Sequence, residues 1–259
     1  TIPSYLAKAL DRDGHSVTVK NWSVEGHNLA QCFISFIQRL RRGEKPSVAV
    51  FYSGVNEFTG GVIDPGVPEA HGMFMRTKYL FEDGHSKETP GSVWHKIDSF
   101  QKQFPGAAFT YDNLTQKYAA VDFSIEAVKQ RCRAAFETYK KTIDLIRGLA
   151  LANGIQPIFI WQPCLLFGDK PLSPHEIFVR RTGDIAFPLP ERCQAFLAGV
   201  PFLWELAEKS ETASGFHFLG RVVEEMTEHA YWDWNHVGPS GNQVIGERIA
   251  AIIREAKVW

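Results

Sequence analysis

"PSVAVFYSG", Pro46 to Gly54, decides the fold. Val48 to Tyr52 is an unbroken apolar run, rich in β-branched and aromatic side chains and bounded by residues that favour turns. A strand solvated on one face alternates apolar and polar residues. A strand covered on both faces need not, and such runs characterise parallel sheets with helices on each side. Just upstream, "LAQCFISFIQRLRRG" sets Leu29, Cys32, Phe33, Phe36, Ile37 and Leu40 at helical spacing, with Gly43 as the stop. Earlier still, "HSVTVKN" alternates and predicts a strand with Val17 and Val19 on one face, followed by a turn at "SVEGHN". "IPSYLAKALDRDG" predicts a short helix with Pro3 in its first turn, Leu6 and Leu10 on a shared face, and Gly14 at its end.

The same alternation returns downstream. Ser124 to Leu151 predicts a long helix with Val128, Cys132, Phe136, Tyr139, Ile143 and Ile146 along one side. "ANGIQPIFIWQP" reads as a stop, a turn and a buried strand from Ile158 to Trp161. Glu191 to Lys209 reads as a helix, "GFHFLG" as a short strand, and Ser240 as the N-cap of a last helix facing inward through Ile245, Ile249, Ile252 and Ile253. Two stretches lack a period: 58–122, expected to be an insertion laid over the scaffold, and 164–190, rich in proline. Helix and strand in alternation predict one α/β domain over 1–259, a layered sandwich with a mostly parallel sheet.

Composition narrows function. At 44% hydrophobic and 22% charged, the chain of 259 residues can bury a core, and a formal net charge of -1 gives no electrostatic case for nucleic acid. The basic cluster Arg39, Arg41 and Arg42 ends a predicted helix, where the dipole explains it. No apolar run reaches the ~18–20 residues of a membrane span. Cys32, Cys132, Cys164 and Cys193 lie too far apart for a CxxC motif, and three occupy apolar positions that suit buried thiols and a reducing compartment, while the even count leaves disulfides open. GxxxxGKS and GxGxxG are absent, which argues against a nucleotide or flavin protein, and no cofactor is implied.

Open parallel sheets deliver functional groups at the C-terminal ends of their strands. Three such places carry chemistry: "NWSVEG", Asn21 to Gly26; "SGVNEF", Ser53 to Phe58; and "DWNH", Asp233 to His236, just before the last helix. Singly each reads as turn chemistry. In this order and spacing they resemble the blocks of the SGNH hydrolases, the GDSL-like esterase and lipase superfamily. "VKNWSVEG" is similar to the second block, "VFYSGVNE" to the third, and "DWNHVGPSGNQVIGERIA" to the last. The resemblance covers about 1–57 and 124–259, with Glu57 where aspartate is usual and Ser23 where glycine is commoner.

The resemblance implies a flavodoxin-like strand order and a serine esterase acting on a small-molecule or carbohydrate ester. His236 would be the base and Asp233 its support. The Gly26 N–H and the Asn56 amide would stabilise the oxyanion. No metal is implied, and the oligomeric state stays open. The residue types suit the chemistry: a serine hydroxyl needs a base near neutrality, and an unperturbed imidazole titrates at about 6.5.

The family's nucleophile block, G-D-S or G-G-S on the first and central strand, occurs nowhere in the chain. The chain opens on "TIPSYL", similar to the helix that follows that block, so the serine is expected upstream of Thr1. Ser4 would lie inside a helix, and Ser23 and Ser53 already occupy their own blocks. The expected consequence is a strand-width gap between Val17–Val19 and Val48–Phe51, or another segment filling it, and a chain inactive by itself. A non-catalytic binding domain on the same fold is the alternative. Trp161, Gln162 and Pro163 end a strand and could line the site, although a core tryptophan is the plainer reading. Phe74, Tyr79, Phe81 and Trp94 could form a lid or simply pack the insertion. His71, His85 and His95 lack partners at metal-ligand spacing, and His229 reads as a helical surface residue.

Overall fold

A computed structural model describes residues 1–12, 14, 17–63, 121–182, 190–211 and 215–256. The expected insertion at 58–122, with His71, Phe74, Tyr79, Phe81, His85, Trp94 and His95, lies almost wholly outside the described residues.

The fold is α/β. Its elements are α1 (Ile2–Arg12), α2 (Leu29–Arg41), β1 (Val48–Ser53), α3 (Val55–Phe58) with a π-helical turn (Thr59–Ile63), α4 (Ile125–Ala152), β2 (Gln156–Trp161), α5 (Pro174–Thr182), α6 (Pro190–Lys209), β3 (Phe216–Phe218) and α7 (Pro239–Glu255). The sheet has three strands in the order β1-β2-β3, all parallel. Val48 to Ser53 pair with Gln156 to Trp161, and Phe159 to Trp161 with Phe216 to Phe218.

Helices cover both faces, which is why the strands carry unbroken apolar runs. On one face, Phe51, Phe159 and Trp161 pack against Phe36 of α2, Phe136 and Ile143 of α4, and Phe196, Leu203 and Trp204 of α6. Phe51 and Phe159 stack at 5.3 Å between ring centroids, and Trp161 meets Trp204 edge-on at 5.2 Å. Each fully buried phenylalanine contributes about 1.5–3 kcal/mol. On the other face, Ile158 and Ile160 pack against Leu6 and Leu10 of α1 and Ile245, Ile249 and Ile253 of α7.

The local signals explain most helix ends. The Ser124 side chain accepts from Ala127 N–H and starts α4. Asn28 and Gln31 form a reciprocal capping box at α2. Four expectations are corrected. α7 begins at Pro239 with Gly238 as N-cap, not Ser240, because proline's fixed φ and missing N–H suit the first helical position. The proline-rich stretch 164–190 contains α5, and His229 lies in a loop instead of on a helix. Most tellingly, residues 17–24 form no strand. Val17 and Val19 do turn inward onto the α1–α7 cluster, so the alternation was real. A strand also needs a neighbour for its backbone groups, and Val17–Val19 does not pair with Val48–Phe51. Among the described residues β1 pairs on one side only, and its Val48, Val50 and Tyr52 side chains stay half-buried on that cluster.

Candidate functional site

The segments after the strands gather at one end of the sheet. β1 ends at Ser53, and Gly54 turns the chain sharply into α3 with φ 141°, a conformation that favours glycine. A Cβ at Gly54 would also stand 3.1 Å from Trp161 Cε2. This turn presents Asn56, whose Nδ2 donates to His27 carbonyl O at 2.8 Å. One amide hydrogen of Asn56 is thereby used, and the other makes no hydrogen bond among the described residues.

Asn56 thus ties α3 to the segment before α2. There, His27 N–H donates to Val24 O across a turn with Gly26 at its third position, φ 77°, as a type II turn requires. The Gly26 N–H makes no hydrogen bond among the described residues, so it is an open donor. A second tie runs through Glu57. Its buried carboxylate accepts from Leu29 N–H at the start of α2 and, at 2.9 Å, from Gly54 N–H at the elbow. Burial pushes the Glu57 carboxyl above its ordinary value of 4.5, and hydrogen bonds from Leu29, its own backbone and Gly54 offset only part of this. Sequence reasoning noted Glu57 only as a departure from aspartate. Its role as a clamp depends on a contact 28 residues away, which no local pattern signals.

Asp233 and His236 sit on a turn pinched at its base by the Tyr231–Val237 bridge, by Trp232 N–H to His236 O at 2.8 Å, and by Gly238 N–H to Ala230 O at 2.7 Å. Asp233 Oδ1 accepts from the N–H groups of Asn235 and His236, at 2.9 and 2.7 Å, so the aspartate shapes its own turn. Its Oδ2 lies 2.6 Å from His236 Nδ1. That contact assigns the proton to Nδ1 and leaves Nε2 as the acceptor. The His236 side chain is 69% exposed and that of Asp233 33%.

Electrostatics follow from this geometry. Burial pushes the Asp233 carboxyl up, but hydrogen bonds from the His236 ring and from the Asn235 and His236 N–H groups outweigh it, and its pKa falls below 3.8. The Asp233 hydrogen bond holds the His236 pKa above 6.5 against partial burial, with further help from the charges of Asp233 and Glu25. Glu25 immediately precedes Gly26. Its effect places the Gly26 turn within electrostatic reach of His236, a link that sequence reasoning missed.

All four residues expected from the sequence lie in the described segments. Gly26 and Asn56 are tied together through His27, and Asp233 and His236 through a direct hydrogen bond. Trp161 is fully buried in the core with its Nε1 unpartnered, so it does not line an open site. Ser53 is buried and its Oγ hydrogen-bonds Tyr139 OH at 3.2 Å, while Ser23 Oγ donates to Asn21 Oδ1 at 2.6 Å. Neither hydroxyl hydrogen-bonds His236. The four cysteines are free thiols, and burial pushes those of Cys32, Cys132 and Cys164 up to about 12, the wrong direction for nucleophiles. Among the described residues no helix is long and apolar enough to cross a membrane.

No family model, curated protein or solved structure matches the chain.

Proposed function

We propose that this chain is the larger part of an SGNH-type serine ester hydrolase, with a flavodoxin-like sheet whose central strand and serine are supplied from upstream of Thr1. One observation carries the reading: an open backbone donor at Gly26, a side-chain amide at Asn56 and a carboxylate-supported imidazole at His236 lie at the same end of a parallel sheet. The side of β1 that is unpaired among the described residues supports the place of the added strand.

The chemistry follows from the geometry. Asp233 fixes the His236 tautomer, so Nε2 takes the proton from the incoming serine Oγ as that oxygen attacks the ester carbonyl. The carbonyl π pair moves onto oxygen, and the resulting oxyanion is met by Gly26 N–H and the open Asn56 amide hydrogen. Collapse expels the alcohol, which takes the proton from His236. Water then attacks the acyl-enzyme by the same route, His236 again acting as base, and the carboxylic acid leaves. The substrate is a small-molecule or carbohydrate ester.

The test compares this chain with one extended by its natural preceding residues, using p-nitrophenyl acetate and acetylated sugars. The extended protein should turn over and the shorter one should not. His236→Ala in the extended protein should lose at least about a thousandfold in kcat. An extended, folded, serine-bearing protein without esterase activity contradicts the proposal.

A further inference from the structure

The Asp233–His236 pair makes no side-chain hydrogen bond outside its own turn among the described residues. Its placement must therefore come from whatever holds the turn, and the structure shows an unusual holder. Glu176 of α5 is 0% exposed, and its carboxylate collects four donors. Oε2 accepts from Lys170 Nζ and from Ser173 N–H, both at 2.9 Å. Oε1 accepts from Ala230 N–H at 2.9 Å and Tyr231 N–H at 3.1 Å, the two residues that lead into the turn. Lys170 is itself buried and gives a second hydrogen to Pro171 O at 2.8 Å.

The same segment reaches further into the turn. Leu165 N–H and Cys164 Sγ both approach Trp234 O, at 2.9 and 3.2 Å, and His175 Nε2 lies 2.7 Å from Trp232 O. A buried ion pair adds little stability over a well-packed apolar pair, because desolvation offsets most of the attraction. What it can supply is a defined geometry. Ser173 and Glu176 would suffice to cap α5, since Ser173 Oγ accepts from Glu176 N–H at 3.3 Å in return. The capping box requires neither Lys170 nor the two N–H groups of the base turn.

We infer that the buried Lys170–Glu176 pair is a positioning device for the base turn, with Glu176 a positioning residue that seats Asp233 and His236 at the end of the sheet. Its catalytic consequence rests on the hydrolase reading above; its geometric content does not. Hydrogen bonding keeps Glu176 ionised: burial pushes its carboxyl up, but the donors from Ser173, Lys170 and Ala230 bring it down to about 2.

The experiment uses the chain as it stands. The His236 ring is titrated by NMR, and amide exchange is followed at Ala230 and Tyr231. In Glu176→Gln, exchange at these amides should quicken by about tenfold or more, as loss of a charge-assisted hydrogen bond implies. The His236 titration should fall toward 6.5 as its bond to Asp233 becomes less populated. Ile146→Val, a remote core change, should leave that titration unmoved. Should Glu176→Gln fail to fold, the apolar pair Lys170→Met/Glu176→Leu keeps the site packed and should move the titration in the same direction. A folded variant of either kind whose His236 titrates as in the parent chain overturns the inference. These readouts need no ester turnover, so failure of the hydrolase reading would show separately, as an inactive extended protein with a normally titrating His236.

Discussion

Glu57→Gln is the sharpest probe of how the site is assembled. In the parent chain the two carboxylate oxygens are shared between Leu29 N–H and Gly54 N–H, which locks the Gly26 side of the site to the Asn56 side. Glutamine has the same shape but only one acceptor. One N–H keeps a carbonyl, and the other faces the new NH2 group. Losing a hydrogen bond to a charged group costs about 1.5–3 kcal/mol, and leaving a buried donor unpaired costs about 1–3 kcal/mol. These costs overlap, and removing a charge whose burial already raises its pKa returns part of them. The net expectation is a loss of about 2 kcal/mol. Urea unfolding followed by tryptophan fluorescence should show the midpoint fall by roughly 0.7 M, taking a slope near 3 kcal/mol/M. In the extended protein kcat should also fall, because the two proposed oxyanion donors lose their common anchor. A midpoint within about 0.15 M of the parent value, at unchanged slope, refutes the clamp.

Three further outcomes follow. Asn56→Ala in the extended protein should lower kcat by about 10²–10³ with little change in KM, since the amide acts on charge that develops in the transition state; steady-state kinetics decide it. The activity limb that reports His236 should lie above pH 6.5, because a base with a raised pKa stays protonated to higher pH, and Glu25→Gln should move that limb to lower pH. Glu176, held at about 2 against an ordinary 4.5, contributes stability that is complete above pH 4.5 and is lost as pH falls toward 2. The contribution is at most about 3 kcal/mol, since full burial of the pair offsets part of it, and urea midpoints measured across this window should be flatter in Glu176→Gln.

The sequence announced the fold where the physics is local. The apolar runs at Val48–Tyr52 and Ile158–Trp161 became paired parallel strands, and helical spacing found α2 and α4. The Asp233–His236 turn was legible because both residues and their hydrogen bonds lie within four positions. Failures came where a partner distant in sequence decides the outcome. Val17–Val19 has the alternation of a strand but joins no ladder among the described residues. α5 was readable in principle, since Ser173-Pro174-His175-Glu176 is a capping-box pattern with proline at the first helical position, but the surrounding prolines obscured it. Glu57, Glu25 and the Lys170–Glu176 pair act across 28 to more than 200 residues or through burial, and no periodicity reports such contacts.

The measurement closest to the central claim is fluorophosphonate labelling of the extended protein, with the modified residue located by mass spectrometry. The account predicts a single labelled serine upstream of Thr1, with labelling lost in His236→Ala and absent from the shorter chain. Labelling of Ser23 or Ser53, or labelling that survives His236→Ala, would contradict it.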